Sequence, residues 1–211
     1  MPLAIDHLVV AARTLDEGAA WVASRLGIAP AGGGKHPMMG THNRVLSLGR
    51  DAYLEVIAID PDAPPPPRRR WFALDAPAMQ ARLEAGPALV HWVARTTDIE
   101  RDAKAAPVDL GDILDATRGN YRWRITVPRD GSLPMDGAFP TLIQWGDERP
   151  ATALPDSGYR LSSLTVAHPR ASAIADALRS MGLAPEEPLH AADAAPGIAA
   201  QLHTPSAVYA L

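Results

Sequence analysis

The sequence predicts an α+β protein built from a strand–helix–strand unit used more than once, and three observations carry that prediction. An apolar strand, Ile5-Asp6-His7-Leu8-Val9-Val10-Ala11, is followed by a capped amphipathic helix and then by further strands. Its pattern returns in Ser163-Leu164-Thr165-Val166-Ala167, and Arg25-Leu26-Gly27-Ile28-Ala29-Pro30 returns in Ser180-Met181-Gly182-Leu183-Ala184-Pro185, with strand and glycine roughly 20 residues apart in both copies. A weaker middle copy rests on His91-Trp92-Val93-Ala94-Arg95 and the capped helix after it.

The first helix follows from Thr14-Leu15-Asp16-Glu17, a capping box in which Thr14 accepts from the Glu17 amide. Leu15, Ala19, Val22 and Leu26 then share one face, and Gly27 supplies the stop. Residues 30–34 read as a loop of proline and small residues, leading through Lys35 to Asn43 into a strand over 44–48. Gly49-Arg50-Asp51 turns the chain into the strand Tyr53-Leu54-Glu55-Val56-Ile57-Ala58-Ile59. Pro64 to Pro67 end the sheet, and Arg68-Arg69-Arg70-Trp71-Phe72 follows. That segment is either a stiff connector with a solvated basic turn or a lid in which Trp71 or an arginine faces a pocket.

A short helix is expected over 75–85, with Pro77 in its first turn, and a strand over 89–94. Thr97-Asp98-Ile99-Glu100 repeats the capping-box pattern, Asn120 to Val127 alternates as a half-exposed strand, and Thr141 to Trp145 is a further apolar strand. After residues 146–158 come a strand over 161–167, a helix over 169–181 stopped by Gly182, and a terminal hairpin over 199–211. The organisation is therefore a first unit at 1–62, a Pro/Arg-rich connector at 63–87, a second, degenerate unit at 88–150 and a third, partial unit at 159–211.

Composition bounds the function. With 211 residues, 47% of them apolar and no run of membrane-span length, the chain has enough material for a sizeable core. A net charge of −4 gives no electrostatic case for nucleic acid or anionic membrane. The absence of cysteine removes disulfides, thiolate metal sites and a Cys nucleophile. No secretory signal is visible, so a cytoplasmic location is the default expectation. No phosphate loop, Ser nucleophile motif or dinucleotide fingerprint occurs.

Two polar residues stand where buried strands have little reason to hold them, His7 and Glu55, since a buried carboxylate needs a proton, a partner or a metal. In the middle copy His91 takes the place of His7, and Gln144 follows it by about 50 residues, as Glu55 follows His7. His42 and Asn43 stand at a strand entry, where they suit substrate binding or ordinary turn chemistry; His42 could also serve as acid or base. His36 is a loop residue able to close over a ligand, and Trp92, Trp123 and Trp145 suit core or pocket walls.

With Ile5-Asp6-His7-Leu8-Val9-Val10, Gly40-Thr41-His42-Asn43 leading to Leu46-Ser47-Leu48-Gly49, and Tyr53-Leu54-Glu55-Val56-Ile57-Ala58 in hand, the chain resembles a glyoxalase-like member of the vicinal oxygen chelate superfamily over most of residues 3–183. The resemblance implies paired βαβββ modules forming a cupped mixed sheet, with an additional partial C-terminal module. The strand then missing from the first module is expected near Gly32 to Met39. It also implies a divalent metal held by residues matching His7, Glu55, His91 and Gln144. Such a donor set suits zinc, iron, nickel or manganese, with Glu55 and His42 as catalytic candidates and His36, Asn43, Trp92 and Trp123 toward the substrate.

Two functions remain open. One is a metal-dependent enzyme on a small oxygenated substrate, of isomerase, lyase or dioxygenase type. The other is a metal-free protein of the same fold that binds or sequesters a small molecule. Both leave open whether the third unit completes a second cup in a homodimer.

Overall fold

The computed structural model describes residues 3–211. β1 (Ala4–Ala11) is buried along its whole length because it lies at the centre of an eight-stranded sheet. α1 (Leu15–Leu26) starts where Thr14 Oγ1 accepts from the Glu17 amide at 3.1 Å, and ends where Gly27 turns left-handed at φ 70°. The expected missing strand is β2 (Ala31–His36), which runs through the glycines that read as loop. As an edge strand, hydrogen-bonded to β3 (Thr41–Ser47) alone, it needs no apolar alternation to be held in place. β3 pairs antiparallel with β4 (Tyr53–Ile59), and β4 returns parallel to β1.

After a connector and α2 (Pro77–Glu84) the second module repeats that plan: β5 (Ala88–Arg95), α3 (Ile99–Ala105), β6 (Asp112–Arg118), β7 (Tyr121–Val127) and β8 (Thr141–Trp145). α3 is capped by Asp98, whose carboxylate accepts from the Arg101 amide at 3.1 Å, so the cap falls one residue beyond the expected Thr97. The sheet order β2-β3-β4-β1-β5-β8-β7-β6 joins the modules through the antiparallel β1–β5 pair. The expected α+β cupped sheet of paired βαβββ modules is thus present.

The C-terminal part contains α4 (Pro150–Ala153), β9 (Arg160–Ala167), α5 (Ala171–Ser180), β10 (Leu189–Ala192), β11 (Gly197–His203) and β12 (Val208–Ala210). It keeps the element sequence of the modules but not their pairing. β10 lies parallel to β9, and β11 lies antiparallel on β9's other side, in a separate four-stranded sheet. This sheet does not extend the cup. Leu164, Val166, Ile174, Leu178 and Leu202 share a core with Leu8, Val10, Val22, Leu54 and Val56, behind the large sheet.

The concave face has its own core. Val9, Ala11, Ile57, Val93, Trp123, Ile125 and Ile143 line it, and Trp71, Phe72, Leu74, Met79 and Leu83 from the connector and α2 fill it. The period-2 alternation of strands therefore sorts His7, Val9 and Ala11 into the cup and Leu8 and Val10 behind it.

Candidate functional site

The cup encloses a cavity of about 20 Å³, room for roughly one water, bordered by His7, His36, Asn43, Tyr53, Glu55, Trp71, Phe72, Arg118, Trp123, Ile125, Ile143 and Trp145. A line of polar contacts crosses its floor. Trp145 Nε1 donates to Asp6 Oδ2 at 2.9 Å, and Asp6 Oδ1 lies 2.7 Å from His7 Nδ1. His7 Nε2 stands 3.7 Å from Glu55 Oε2, and Asn43 Nδ2 donates to Glu55 Oε1 at 2.5 Å. Asn43 Oδ1 in turn accepts from Arg118 Nη1 and from the Gly34 amide, both at 2.9 Å.

Local structure explains each member. The β1–β5 ladder slips between Ile5 and His7, so Asp6 sits in a bulge, and a bulge re-aims side chains that strict alternation would send to opposite faces. The His7 ring stacks on Tyr53 at 4.6 Å, with Tyr53 two residues before Glu55 and therefore on the same face of β4. Burial and the charges of Asp6 and Glu55 push the Tyr53 hydroxyl well above the usual phenol range, so it stays protonated. His36 Nδ1 meets Thr41 Oγ1 at 3.2 Å and its Nε2 meets Arg118 Nη1 at 3.1 Å. Burial above all, then Arg118, lowers the His36 pKa to about 3, which makes it a neutral acceptor for the guanidinium.

Of the residues singled out from sequence, the cup brings together His7, Glu55, His36, Asn43, Trp123 and Trp145, with Trp71 of the lid alternative. His42, Gln144 and Trp92 lie outside its wall. His42, one residue before Asn43, borders a hollow outside the cup with Arg13, Asp16 and Arg44; its pKa is lowered, chiefly by burial. Gln144 alternates with the cup-facing Ile143 and Trp145, and its Oε1 accepts from the Ile99 amide at 2.9 Å, at the start of α3. Trp92 is packed in the core behind the sheet and donates to the Ala138 carbonyl at 3.2 Å. His91 is wholly buried beneath Phe72, and its Nε2 accepts from the Thr141 amide at 3.1 Å. Burial lowers its pKa to about 3.

The four residues matched to a divalent metal therefore do not converge. His7 Nε2 and the Glu55 carboxylate face each other, but the His91 nitrogen that could ligate is already an acceptor, and Gln144 points away. His36 has both ring nitrogens engaged. Among the described residues no three His, Asp or Glu side chains form a metal-binding group, whereas a catalytic zinc site takes three protein ligands. The residues present do not fit a divalent metal of that kind.

Four cup residues drew no role from sequence. Asp6 is unremarkable beside His7 until the bulge aims both inward. Tyr53 could have been found from its two-residue spacing to Glu55. Arg118 closes a strand whose exposed and half-buried residues give little alternation. Phe72 belongs to the connector, where the lid alternative had named Trp71 or an arginine.

A family model described as a glyoxalase-like domain matches residues 5–182. No curated protein matches the chain. Among solved structures, a hypothetical protein from Staphylococcus aureus superposes with a TM-score of 0.56 at 15% identity, covering 86% of this chain and 75% of that one. Methylmalonyl-CoA epimerase from Mycobacterium tuberculosis gives 0.43 at 17% identity, covering 72% and 92%. A variant of the Streptomyces coelicolor enzyme in complex with 2-nitronate-propionyl-CoA gives 0.44 at 19%, covering 71% and 100%.

Proposed function

Because the chain belongs to the glyoxalase-like domain family of the vicinal oxygen chelate superfamily, we propose that its cup is a metal-free proton-transfer site for a small oxygenated substrate. The Glu55–His7 pair carries this reading. Glu55 has one oxygen held by Asn43 and the other turned toward His7 across 3.7 Å, a gap wider than a hydrogen bond and open to a substrate atom. His7 is oriented from behind by Asp6, the arrangement in which a carboxylate fixes the tautomer and aim of an imidazole.

In the proposed reaction Glu55 Oε2 takes a proton from a carbon next to a carbonyl, and the bonding pair moves into that carbonyl to give an enolate. The enolate regains a proton on carbon, from Glu55 after exchange with solvent or, on the other side, from His7 Nε2, and the group that gave it up is reloaded from solvent. Trp71, which borders the cavity, has a buried indole N–H with no partner among the described residues, and an enolate oxygen would satisfy it. The cavity admits only a small reacting group, so the rest of a substrate is accommodated either by a shift of the Trp71–Phe72 turn or past Arg118, both of which border it.

The test is solvent-deuterium incorporation by NMR into small 2-oxo acids, hydroxy ketones and acyl thioesters, with the wild type beside Glu55→Gln. Exchange that depends on Glu55 supports the reading. Exchange that persists unchanged in the variant, or is absent from every substrate the wild type binds, overturns it. The second outcome would favour a sequestering protein, for which the ring-lined wall of Tyr53, Trp71, Phe72, Trp123 and Trp145 speaks.

A further inference from the structure

Arg118 borders both the cup cavity and a second, outer hollow of about 380 Å³, whose walls include Val45, Tyr121, Pro150, Leu154 and Glu148. Its posture is built. A Cβ on Gly34 would stand 2.8 Å from Arg118 Cδ, so the glycine of β2 leaves the space in which the arm lies. One nitrogen, Nη1, is tied to two neutral acceptors, Asn43 Oδ1 at 2.9 Å and His36 Nε2 at 3.1 Å. Among the described residues no carboxylate pairs with Arg118, and its Nη2 and Nε have no protein acceptor. A half-buried guanidinium fixed at one nitrogen and uncompensated at the others is a preorganised oxyanion donor.

We infer that Arg118 is the substrate's specificity anchor: the ligand presents a carboxylate to it at the boundary of the two hollows, with a small reacting group in the cup and an apolar remainder against Tyr121, Pro150 and Leu154. Glu148 on the outer wall opposes further negative charge, which favours a monoanionic carboxylate over a phosphate monoester. This inference rests on the cup being a substrate site, and it adds the substrate's class, a small organic acid.

Calorimetric titration of the wild type with phenylpyruvate, its methyl ester and phenyl phosphate tests it. The acid should bind about tenfold or more tighter than the ester, and Arg118→Gln should bind acid and ester alike. Arg118→Lys, which keeps the charge and loses the planar fork, should fall between them. Equal binding of acid and ester by the wild type, an undiminished preference in Arg118→Gln, or no binding of any probe at millimolar concentration overturns the inference. Tighter binding of phenyl phosphate than of the acid overturns the carboxylate assignment. Glu55→Gln separates this inference from the proton-transfer reading. It should retain the preference for acid while losing exchange, so either proposal can fail while the other stands.

Discussion

The carboxylate of Glu55 faces the imidazole of His7 at 3.7 Å across neighbouring parallel strands, each held from behind by a second polar side chain, Asn43 for Glu55 and Asp6 for His7. Two buried ionisable groups so braced are costly to assemble and gain little stability from each other, so a role in chemistry is the more economical account of their retention. Glu55→Gln removes the proton acceptor while keeping the shape. Substrate proton exchange should fall about 100-fold or more, with ligand affinity changed far less. Exchange rates and titrations on the same preparation check this; parallel losses in both would make Glu55 a binding group.

Asp6 orients rather than reacts. Asp6→Asn keeps an acceptor for His7 Nδ1 or Trp145 Nε1 but can present a donor in the wrong place. It should lower the exchange rate by about 10- to 100-fold and shift its pH profile, with KM nearly unchanged. A drop in rate with an unmoved profile would mean that Asp6 only supports packing.

Stability should decline with acid before the carboxylates titrate. His36 and His91 have folded pKa values lowered from 6.5 to about 3, so between those limits the unfolded chain binds more protons than the folded one. Unfolding free energy therefore rises with pH across that window and is lost as pH falls through it. The slope of unfolding free energy against pH, from urea titrations, should approach two protons taken up on unfolding. His91→Phe should reduce that slope by about one proton; an unchanged slope would show that His91 is not held neutral.

The first module was legible because its signals are local. The capping box, the Gly27 stop and the apolar runs of β1 and β4 each settle an element within a few residues. His7 and Glu55 stood out as polar residues in such runs, and they do meet. β2 was legible only through the family resemblance, which asked for a strand near Gly32 to Met39; its own residues carry no alternation, and its glycines serve the approach of Arg118 and Asn43 instead. The Gln144 expectation turned on a single step of register, which moves a strand side chain to the other face. The C-terminal repeat was visible as a motif, but its strand pairing depends on contacts with the back of the large sheet that no local pattern encodes.

Gln144 offers a test that divides the two readings of the second module. If it caps α3, Gln144→Ala should cost about 1 kcal/mol by depriving the Ile99 amide of its acceptor, and it should leave ligand binding unchanged. In the same series, incubation with zinc, iron, nickel or manganese should not raise the wild-type melting temperature, since a site binding only the folded state would do so. A metal-dependent rise abolished in each of His7→Ala, Glu55→Ala, His91→Ala and Gln144→Ala would restore the four-ligand site.

The turn that fills the cup is held by a clasp. Arg70 Nη1 lies 2.7 Å from Asp75 Oδ1, the Arg70 amide donates to Asp75 Oδ2 at 2.8 Å, and the Ala73 amide donates to Gly131 O at 2.7 Å. Burial raises the Asp75 pKa, but the bonds from Arg70 outweigh it and leave the carboxyl below its usual range. Against this clasp stand Phe72 and Ala73, both at left-handed φ of 57° and 56°, a conformation that costs roughly 1–2 kcal/mol for each L-residue. The turn is thus tied at Arg70 and Ala73 and strained at Phe72 and Ala73, and opening it releases that strain while exposing the buried Trp71 and Phe72 rings. Ala73→Gly relieves part of the strain and should stabilise the closed form by up to about 1 kcal/mol. Asp75→Asn loosens the clasp and should raise amide exchange across residues 68–76 by about tenfold, with a matching rise in the ligand association rate. Exchange confined to global unfolding in both variants would show that the turn is a fixed part of the core, and the ligand would then have to enter past Arg118.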